Sequence, residues 1–161
     1  MRLTKQLALA ATVAACRPTP TPQLGDTTRA AVRAAPPTQL ARATQTGYDA
    51  PAELAIRDAT PWDDAWRRLN PGDAPPAPAV DFGREMVVVV ALGQRPTGGV
   101  DVAIDSAVVA PNDGATVHYT VREPGAGCMA AQVITTPATA ARVARAAGTV
   151  TFRRQTVATP C

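Results

Sequence analysis

The pattern of apolar and polar positions predicts a domain built mostly of short β-strands. Residues 86–92, MVVVVAL, form the longest apolar run outside the N-terminus. A β-branched run of this length, bounded by turn residues, is typical of a strand that is buried on both faces. After a loop at 93–99, Val100, Val102 and Ile104 alternate onto one face of a second strand. These two strands and their loop are the predicted centre of the fold.

Further segments extend the predicted sheet. Residues 111–114, PNDG, fit a hairpin turn, in which Asp-Gly supplies positive φ. Residues 115–122 alternate cleanly between apolar and polar positions, and 132–136 and 149–153 also fit short strands. Residues 138–147, ATAARVARAA, favour a helix because alanine and arginine dominate them.

One helix is predicted early in the domain, at about residues 60–70. Thr60 is a good N-cap, and Trp62, Trp66 and Leu69 fall on one helical face. We interpret the two tryptophans as part of a core-packing face. The whole pattern predicts a mainly β, α+β fold, a small antiparallel sandwich or barrel-like sheet with this one early helix.

The N-terminus has the pattern of an export signal. Arg2 and Lys5 precede an apolar stretch at 7–15, which is shorter than the about 20 residues that a membrane-spanning helix needs. It ends in Val-Ala-Ala-Cys, which resembles the lipobox of bacterial lipoproteins. We therefore expect a signal peptide at 1–15 and lipidation of Cys16. The alternative is an ordinary signal peptide with an incidental cysteine.

Composition divides the rest of the chain near residue 44. Residues 17–44 are rich in Pro, Thr, Ala and Arg and contain no aromatic residue, so they cannot bury enough apolar surface to offset the entropy of ordering. We expect 16–44 to be the lipidated cysteine with a disordered tether, and 45–161 to be the globular domain. The lipid would anchor it to a membrane of the bacterial cell envelope, in the periplasm or at the cell surface.

The charge distribution argues against a nucleic-acid partner. The chain carries a net charge of +3, but residues 45–161 hold ten arginines against twelve acids, a net charge of −2. A domain with this balance, no basic run and few aromatics is unlike a nucleic-acid binder. One histidine and scattered acids show no ligand spacing, so we predict no metal and no cofactor.

The sequence shows no catalytic set. Its one histidine, His118, lies mid-strand on the polar face, where a solvated role is more common than a catalytic one. Cys128 and Cys161 most simply pair with each other in an exported protein, and a free reactive Cys128 is the alternative. We therefore predict that the protein is not an enzyme.

Several stretches resemble the PrcB C-terminal domain family. They are VDFGREMVVV, ALGQRPTGGVDVAI and VREPGAGCMAAQVITTP, with a similar lead-in around TGYDAPAELAIRDATPWDDAWRRL, and together they cover about residues 44–161. The family is named for an accessory subunit of a bacterial cell-surface protease complex. The resemblance implies an exported, non-catalytic domain that serves protein assembly, with a protein partner such as an envelope protease. It also implies a strand at 138–147, so helix and strand both stay open there.

The resemblance and the loop shape together point to one contact surface. The loop has two adjacent glycines and a proline, and its predicted protein-binding residues are Arg95, Pro96, Thr97, Gly98 and Gly99. Arg95 could pair with an acid on the partner, with the loop at 124–127 beside it.

Three points leave the role of this loop open. Relatives usually have an aromatic residue after the two glycines, where this chain has Val100. The loop could serve only as a tight connection between core strands. A protease inhibitor is the alternative function, because the PTGG loop is similar to the Pro-Thr-Thr-Gly loop of chagasin-type inhibitors.

Replacing the lipidation residue tests the anchor. Cys16→Ser should move the full chain from the membrane fraction to the soluble fraction, because each buried acyl methylene contributes about 0.8 kcal/mol to membrane binding. Cell fractionation measures the change, and an unchanged distribution would refute lipidation.

Overall fold

The computed structural model describes residues 33–161, which form eight strands and one helix. In chain order these are β1 (Arg33–Ala35), β2 (Thr38–Ala43), β3 (Pro51–Ile56), α1 (Ala59–Leu69), β4 (Glu85–Leu92), β5 (Asp101–Val109), β6 (Ala115–Pro124), β7 (Ala138–Ala144) and β8 (Val150–Thr159). The predicted signal peptide at 1–15 and Cys16 lie outside the described residues. Within the described part, no helix is long and apolar enough to cross a membrane.

The strands form two four-stranded sheets that face each other. One sheet has the order β1-β5-β6-β8, and the other has the order β2-β7-β4-β3. Neighbouring strands are antiparallel except β6 and β8, which are parallel. Helix α1 packs on the outer face of the second sheet. The predicted mainly β fold is confirmed, as a sandwich without a closed barrel.

Strand β4 is buried on both faces, as its apolar run predicts. Alternate residues of a strand point to opposite faces, so β4 contributes to two cores. Val87, Val89 and Ala91 pack with the helix side. The residues between them face the other sheet, and these are Met86, Val88, Val90 and Leu92.

Helix α1 supplies the apolar face that covers the second sheet. Trp62, Trp66 and Leu69 are buried in its core cluster, so the interpretation of the tryptophans as core residues is confirmed. The N-cap lies two residues earlier than predicted, at Asp58, and Thr60 lies within the first turn. Each indole N–H donates a hydrogen bond to a backbone carbonyl of the proline-rich connection that follows the helix.

The hairpin between β5 and β6 forms where the PNDG turn predicts it. Asp113 has a φ of 62°, the left-handed conformation that such a turn requires. In β6, Val117, Tyr119 and Val121 are buried, and His118 is exposed on the opposite face. The predicted alternation of this strand is confirmed.

The prediction of a disordered tether is wrong for its last part, because residues 33–35 and 38–43 form strands. Strand β1 pairs with β5, and β2 pairs with β7. Leu40 and Ala41 pack against the helix-side core, and Arg42 donates through Nε to Asp101 over 2.7 Å, which joins the two sheets. Composition averaged over a long segment concealed a short strand that is stabilised by distant partners.

Two predictions between residues 132 and 147 are also corrected. Residues 138–144 form strand β7, so the strand implied by the family is right and the helix favoured by propensity is wrong. Strand β7 lies between β2 and β4 in the sheet, and its residues contribute to the cores on both faces. The predicted strand at 132–136 is absent from the described fold, where Thr135 makes an isolated bridge with Arg95.

Two truncations test the corrected boundary of the domain. Removing residues 1–32 should leave the free energy of unfolding unchanged. Removing residues 1–44 should lower it by about 2 kcal/mol, because the partly buried Leu40 is lost and β7 also loses its ladder with β2. Urea unfolding measures both, and equal stabilities would contradict the assignment of β2 to the domain.

Candidate protein-binding site

The loop at 93–99 connects strands of different sheets. Strand β4 lies in the second sheet and β5 in the first, so the two strands at the predicted centre do not pair with each other. The chain leaves one layer, crosses the end of the sandwich and enters the other layer. The predicted site therefore lies at an end of the sandwich.

Two glycines make this crossing possible. Gly93 has a φ of 71° and Gly99 a φ of 82°, and L side chains rarely adopt this conformation. Space is limiting as well, because a Cβ on Gly93 would lie 2.8 Å from the backbone nitrogen of Pro51. A Cβ on Gly99 would lie 3.0 Å from Cγ of Pro124. Both positions thus require glycine to hold the loop in this shape.

Hydrogen bonds fix the loop to the segment at 131–135. Arg95 and Thr135 exchange two backbone bonds, with N···O distances of 2.7 and 2.9 Å. The Gly98 N–H donates to the carbonyl of Ala131 over 2.8 Å. The Thr135 hydroxyl donates to the carbonyl of Thr97 over 3.2 Å. The loop is therefore held in one conformation.

The second predicted loop, at 124–127, lies beside the first. Gly99 is in close contact with Pro124, and a shallow cleft of about 280 Å³ lies between the loops. Its lining includes Arg95, Thr97, Glu123 and Cys128. The structure thus brings together the two loops that the sequence singled out.

The disulfide bond fixes the far side of this surface. Cys128 is bonded to Cys161, with their Cα atoms 5.4 Å apart. The predicted pairing is confirmed, and the alternative of a free Cys128 is wrong. The Gly125 N–H also donates to the Thr159 carbonyl over 2.9 Å, so the second loop is attached to the end of β8.

Three large apolar side chains are exposed next to the loop. Met129 is fully exposed, Ile134 is 63% exposed and Val133 is 47% exposed. The sequence analysis missed them, because a strand at 132–136 would have buried one face. The adjacent pair Val133-Ile134 carried a signal, since neighbouring residues of a strand cannot both face the core.

Arg95 lies between the loops without an ionic partner. Its side chain is half-buried, and no carboxylate of residues 33–161 lies within ion-pair distance of it. Its Nε is buried and has no hydrogen-bond acceptor in that part of the chain. Because the half-buried side chain also lines the cleft between the loops, the rest of its guanidinium can receive an acceptor from outside.

Val100 faces the core and not the surface. It is 7% exposed and packs with Val90, Leu92 and Tyr119 between the sheets. The departure from the family pattern at this position therefore alters the size of a core residue. The exposed part of the loop before it is unaffected.

A second cleft, which the sequence did not predict, opens beside Arg95 at the edge of the sandwich. It has a volume of about 280 Å³, and its lining includes Glu53, Leu92, Arg95, Tyr119 and Arg154. The Tyr119 hydroxyl donates to Oε1 of Glu53 over 2.7 Å. Burial, this hydrogen bond and the charge of Glu53 raise the pKa of Tyr119 to about 12.

The structure adds no catalytic or metal-binding arrangement to these clefts within the residues it describes. His118 is exposed on the outer face of β6, where it lies opposite Ser106 of β5. Cys128 is oxidised in the disulfide bond, so it offers no free thiol as a nucleophile. Residues 33–161 contain no group of three His, Cys, Asp or Glu side chains that could hold a metal ion.

Comparison with known families gives a match over the central part of the chain. Residues 86–144 match the family model described as PrcB C-terminal. This confirms the resemblance over β4 to β7, a smaller part than the residues 44–161 that it was expected to cover. No curated protein and no solved structure matches the chain.

The PrcB C-terminal match contains nearly all of the candidate site. Both loops and the exposed segment 129–134 lie within residues 86–144. Helix α1, strand β8 and Cys161 lie outside the match. The segment that defines the family similarity is thus also the one that forms this end of the sandwich.

The two tyrosines predict how the domain responds to alkali. Tyr48 and Tyr119 both have raised pKa values, in each case mainly through burial. An unfolded chain releases its tyrosine protons near pH 10, before the folded protein does, so stability should fall from about pH 10 to pH 12. Tyr119→Phe should reduce this loss of stability, so that only the loss caused by Tyr48 remains.

Tyrosinate absorbance during a rapid pH titration measures the pKa values, and urea unfolding at pH 8 and pH 11 measures the stability change. Absorbance that rises with a midpoint near pH 10 while the protein stays folded would contradict the role of burial.

Proposed function

We propose that the protein is an exported, lipid-anchored and non-catalytic binding module that serves as an accessory subunit of a cell-envelope protease complex. The observation that carries the proposal is the position of Met129, Val133 and Ile134. These exposed apolar side chains lie beside the Arg95 loop, inside the segment that matches the PrcB C-terminal family. We call residues 95–99 and 129–134 together the loop surface.

The exposed apolar side chains favour protein binding at the loop surface. Within the described residues, four large apolar side chains are exposed, and three of them lie between residues 129 and 134. Exposed apolar groups that cluster mark interaction sites more often than single scattered ones do. Covering them would contribute about 25 cal/mol per Å² of apolar surface removed from water.

Arg95 gives the loop surface specificity. A half-buried guanidinium without a partner can form a charge-assisted, bidentate pair with a carboxylate of the bound protein. Such a pair would lie at the centre of the surface, between the two loops and next to the apolar residues. A partner without an acid at this position would leave the guanidinium unpaired and would bind less tightly.

The rigidity of the loop surface lowers the entropic cost of binding. The positive-φ glycines, the bonds to residues 131–135 and the Cys128–Cys161 bridge hold the loops before a partner arrives. A preorganised surface loses less conformational freedom on binding than a flexible one. A rigid surface suits an assembly role, in which the protein positions its partner and does not catalyse a reaction.

The membrane anchor is part of the same proposal. Cys16 would carry the lipid, and the residues between Cys16 and β1 would connect it to the domain. Restriction to a membrane surface raises the effective concentration of a partner that is attached to the same membrane. A moderate affinity at the loop surface would then be sufficient for assembly.

The inhibitor alternative receives less support from the loop geometry. The backbones of Thr97 and Gly98 are hydrogen-bonded to the segment at 131–135, and Gly98 is buried. An inhibitory loop must instead present its backbone to a protease cleft. Near-stoichiometric inhibition of a serine, cysteine or metalloprotease by the purified chain would favour the inhibitor and overturn the non-inhibitory role.

Surface variants of the full chain test the loop surface. Crosslinking and affinity purification from the native envelope should recover a protein partner with the wild type. The double variant Met129→Ser/Ile134→Ser and the single variant Arg95→Ala should each recover at least tenfold less, because each removes part of the contact. Both changes are expected to preserve folding, since Met129 and Ile134 are exposed and Arg95 has no ionic partner in the described domain.

Arg84→Ala is the matched control. The Arg84 side chain is 88% exposed, and it pairs with Asp81 at 3.9 Å, outside the loop surface. It should recover the partner as the wild type does. Equal recovery by all of these variants would remove the loop surface from the proposal.

A further inference from the structure

We propose that the free edge of strand β8 binds an acidic, extended segment of a partner protein, which adds to the first sheet as a further strand. This inference goes beyond the proposed function, because it concerns the side of the sandwich and not the loop surface at its end. Strand β8 is ten residues long and pairs on one side with β6. Its other side is unpaired within the described part of the fold.

The ladder with β6 shows which backbone groups are free. The carbonyl of Thr149, just before β8, accepts a bond from Ala115, and the carbonyl of Thr159 accepts one from Gly125, just after β6. The register between these two bonds has no shift. Because backbone groups alternate in direction along a strand, Phe152, Arg154 and Thr156 direct their N–H and C=O groups to the open side. Such a row of unpaired groups is a template for another strand.

The positive charge of β8 favours an acidic segment as the added strand. Val150–Thr159 contains two arginines and no acid. Arg153 has no carboxylate of the described chain within ion-pair distance, and Arg154 pairs with Glu123 over 3.2 Å. Neighbouring residues point to opposite faces, so the edge carries positive charge on both faces. Acids at two consecutive positions of an added strand would lie opposite these arginines.

The same charges disfavour a second copy of this chain as the occupant. Two β8 strands paired about Arg154 would place like charges directly opposite each other, which is destabilising. Exposed charges on an edge strand generally oppose pairing with unselected strands. The two arginines therefore favour an acidic partner and disfavour self-association.

The cleft beside β8 accommodates side chains of the added strand. Arg154 lines it together with Arg95, Tyr119 and Glu53. The Glu53 carboxylate already accepts a hydrogen bond from Tyr119, so its charge is partly compensated. Inward-facing side chains of a strand next to β8 would project over this cleft.

A designed peptide tests the proposal with the full chain. The probe is a capped ten-residue peptide of valine and threonine with two central glutamates, and its control has lysines in place of the glutamates. The glutamate peptide should bind saturably, and the lysine peptide should bind at least tenfold more weakly. Arg153→Gln/Arg154→Gln should abolish this preference, because it removes the charge and keeps hydrogen-bonding side chains. Equal binding of the two peptides by the wild type would overturn the proposal.

A proline substitution tests the backbone contact separately. Thr156→Pro removes an N–H that points to the open side and leaves the ladder with β6 complete, so an edge strand should tolerate it. It should weaken binding of the glutamate peptide about tenfold relative to Thr156→Val, which keeps the N–H. Equal affinities of these two variants would overturn strand addition.

Hydrogen exchange of the wild type decides the question even if the proline variant does not fold. The amides of Phe152, Arg154 and Thr156 should exchange rapidly in the free protein and become protected with the glutamate peptide. Unchanged exchange under saturating peptide would overturn the proposal, as would self-association of the free chain through β8. Met129→Ser/Ile134→Ser should bind the peptide as the wild type does, so failure of this inference and failure of the loop surface are distinguishable.

Discussion

The rest of the structure depends on the burial of β4 on both of its faces. One set of its side chains packs under α1, and the alternate set packs against the first sheet. A strand in this position must be apolar at every residue, which explains the unbroken run at 86–92. The helix and the first sheet need not contact each other, because β4 and β7 join the two cores. Removing either outer layer would leave one face of β4 exposed to water.

The loop at 93–99 follows directly from this arrangement. Because β5 belongs to the other layer, the chain must cross the end of the sandwich, where it has no strand to pair with. Its backbone groups are satisfied instead by residues 131–135, which consequently form no strand of their own. Val133 and Ile134 lie within this bonded segment and are exposed beside the loop. The bonds that hold the loop therefore also hold these two apolar residues next to it.

The sequence predicted those elements whose own pattern determines them. The run at 86–92, the PNDG turn, the alternation of β6 and the apolar face of α1 all formed as expected. Strands β2 and β7 were missed or left open, because short alanine-rich segments become strands only through distant neighbours. The pairing of Cys128 with Cys161 could be predicted from the number of cysteines. The cleft at Glu53 and Tyr119 could not be predicted from the sequence. Its two residues lie 66 positions apart, and local periodicity carries no information on such a contact.

The loop surface and the edge of β8 meet at the disulfide bond. Thr159 ends β8, and Cys161 lies two residues beyond it in covalent contact with Cys128, next to the loop at 124–127. A strand that adds along β8 would therefore run towards the loop surface, and one partner could contact both. Binding at two connected surfaces gives an affinity higher than either surface provides, since the second contact forms at a high effective concentration. In this proposal Cys161 has a role beyond stability, because its bond to Cys128 connects two surfaces that differ in chemistry, one apolar with a single arginine and one a backbone edge with two.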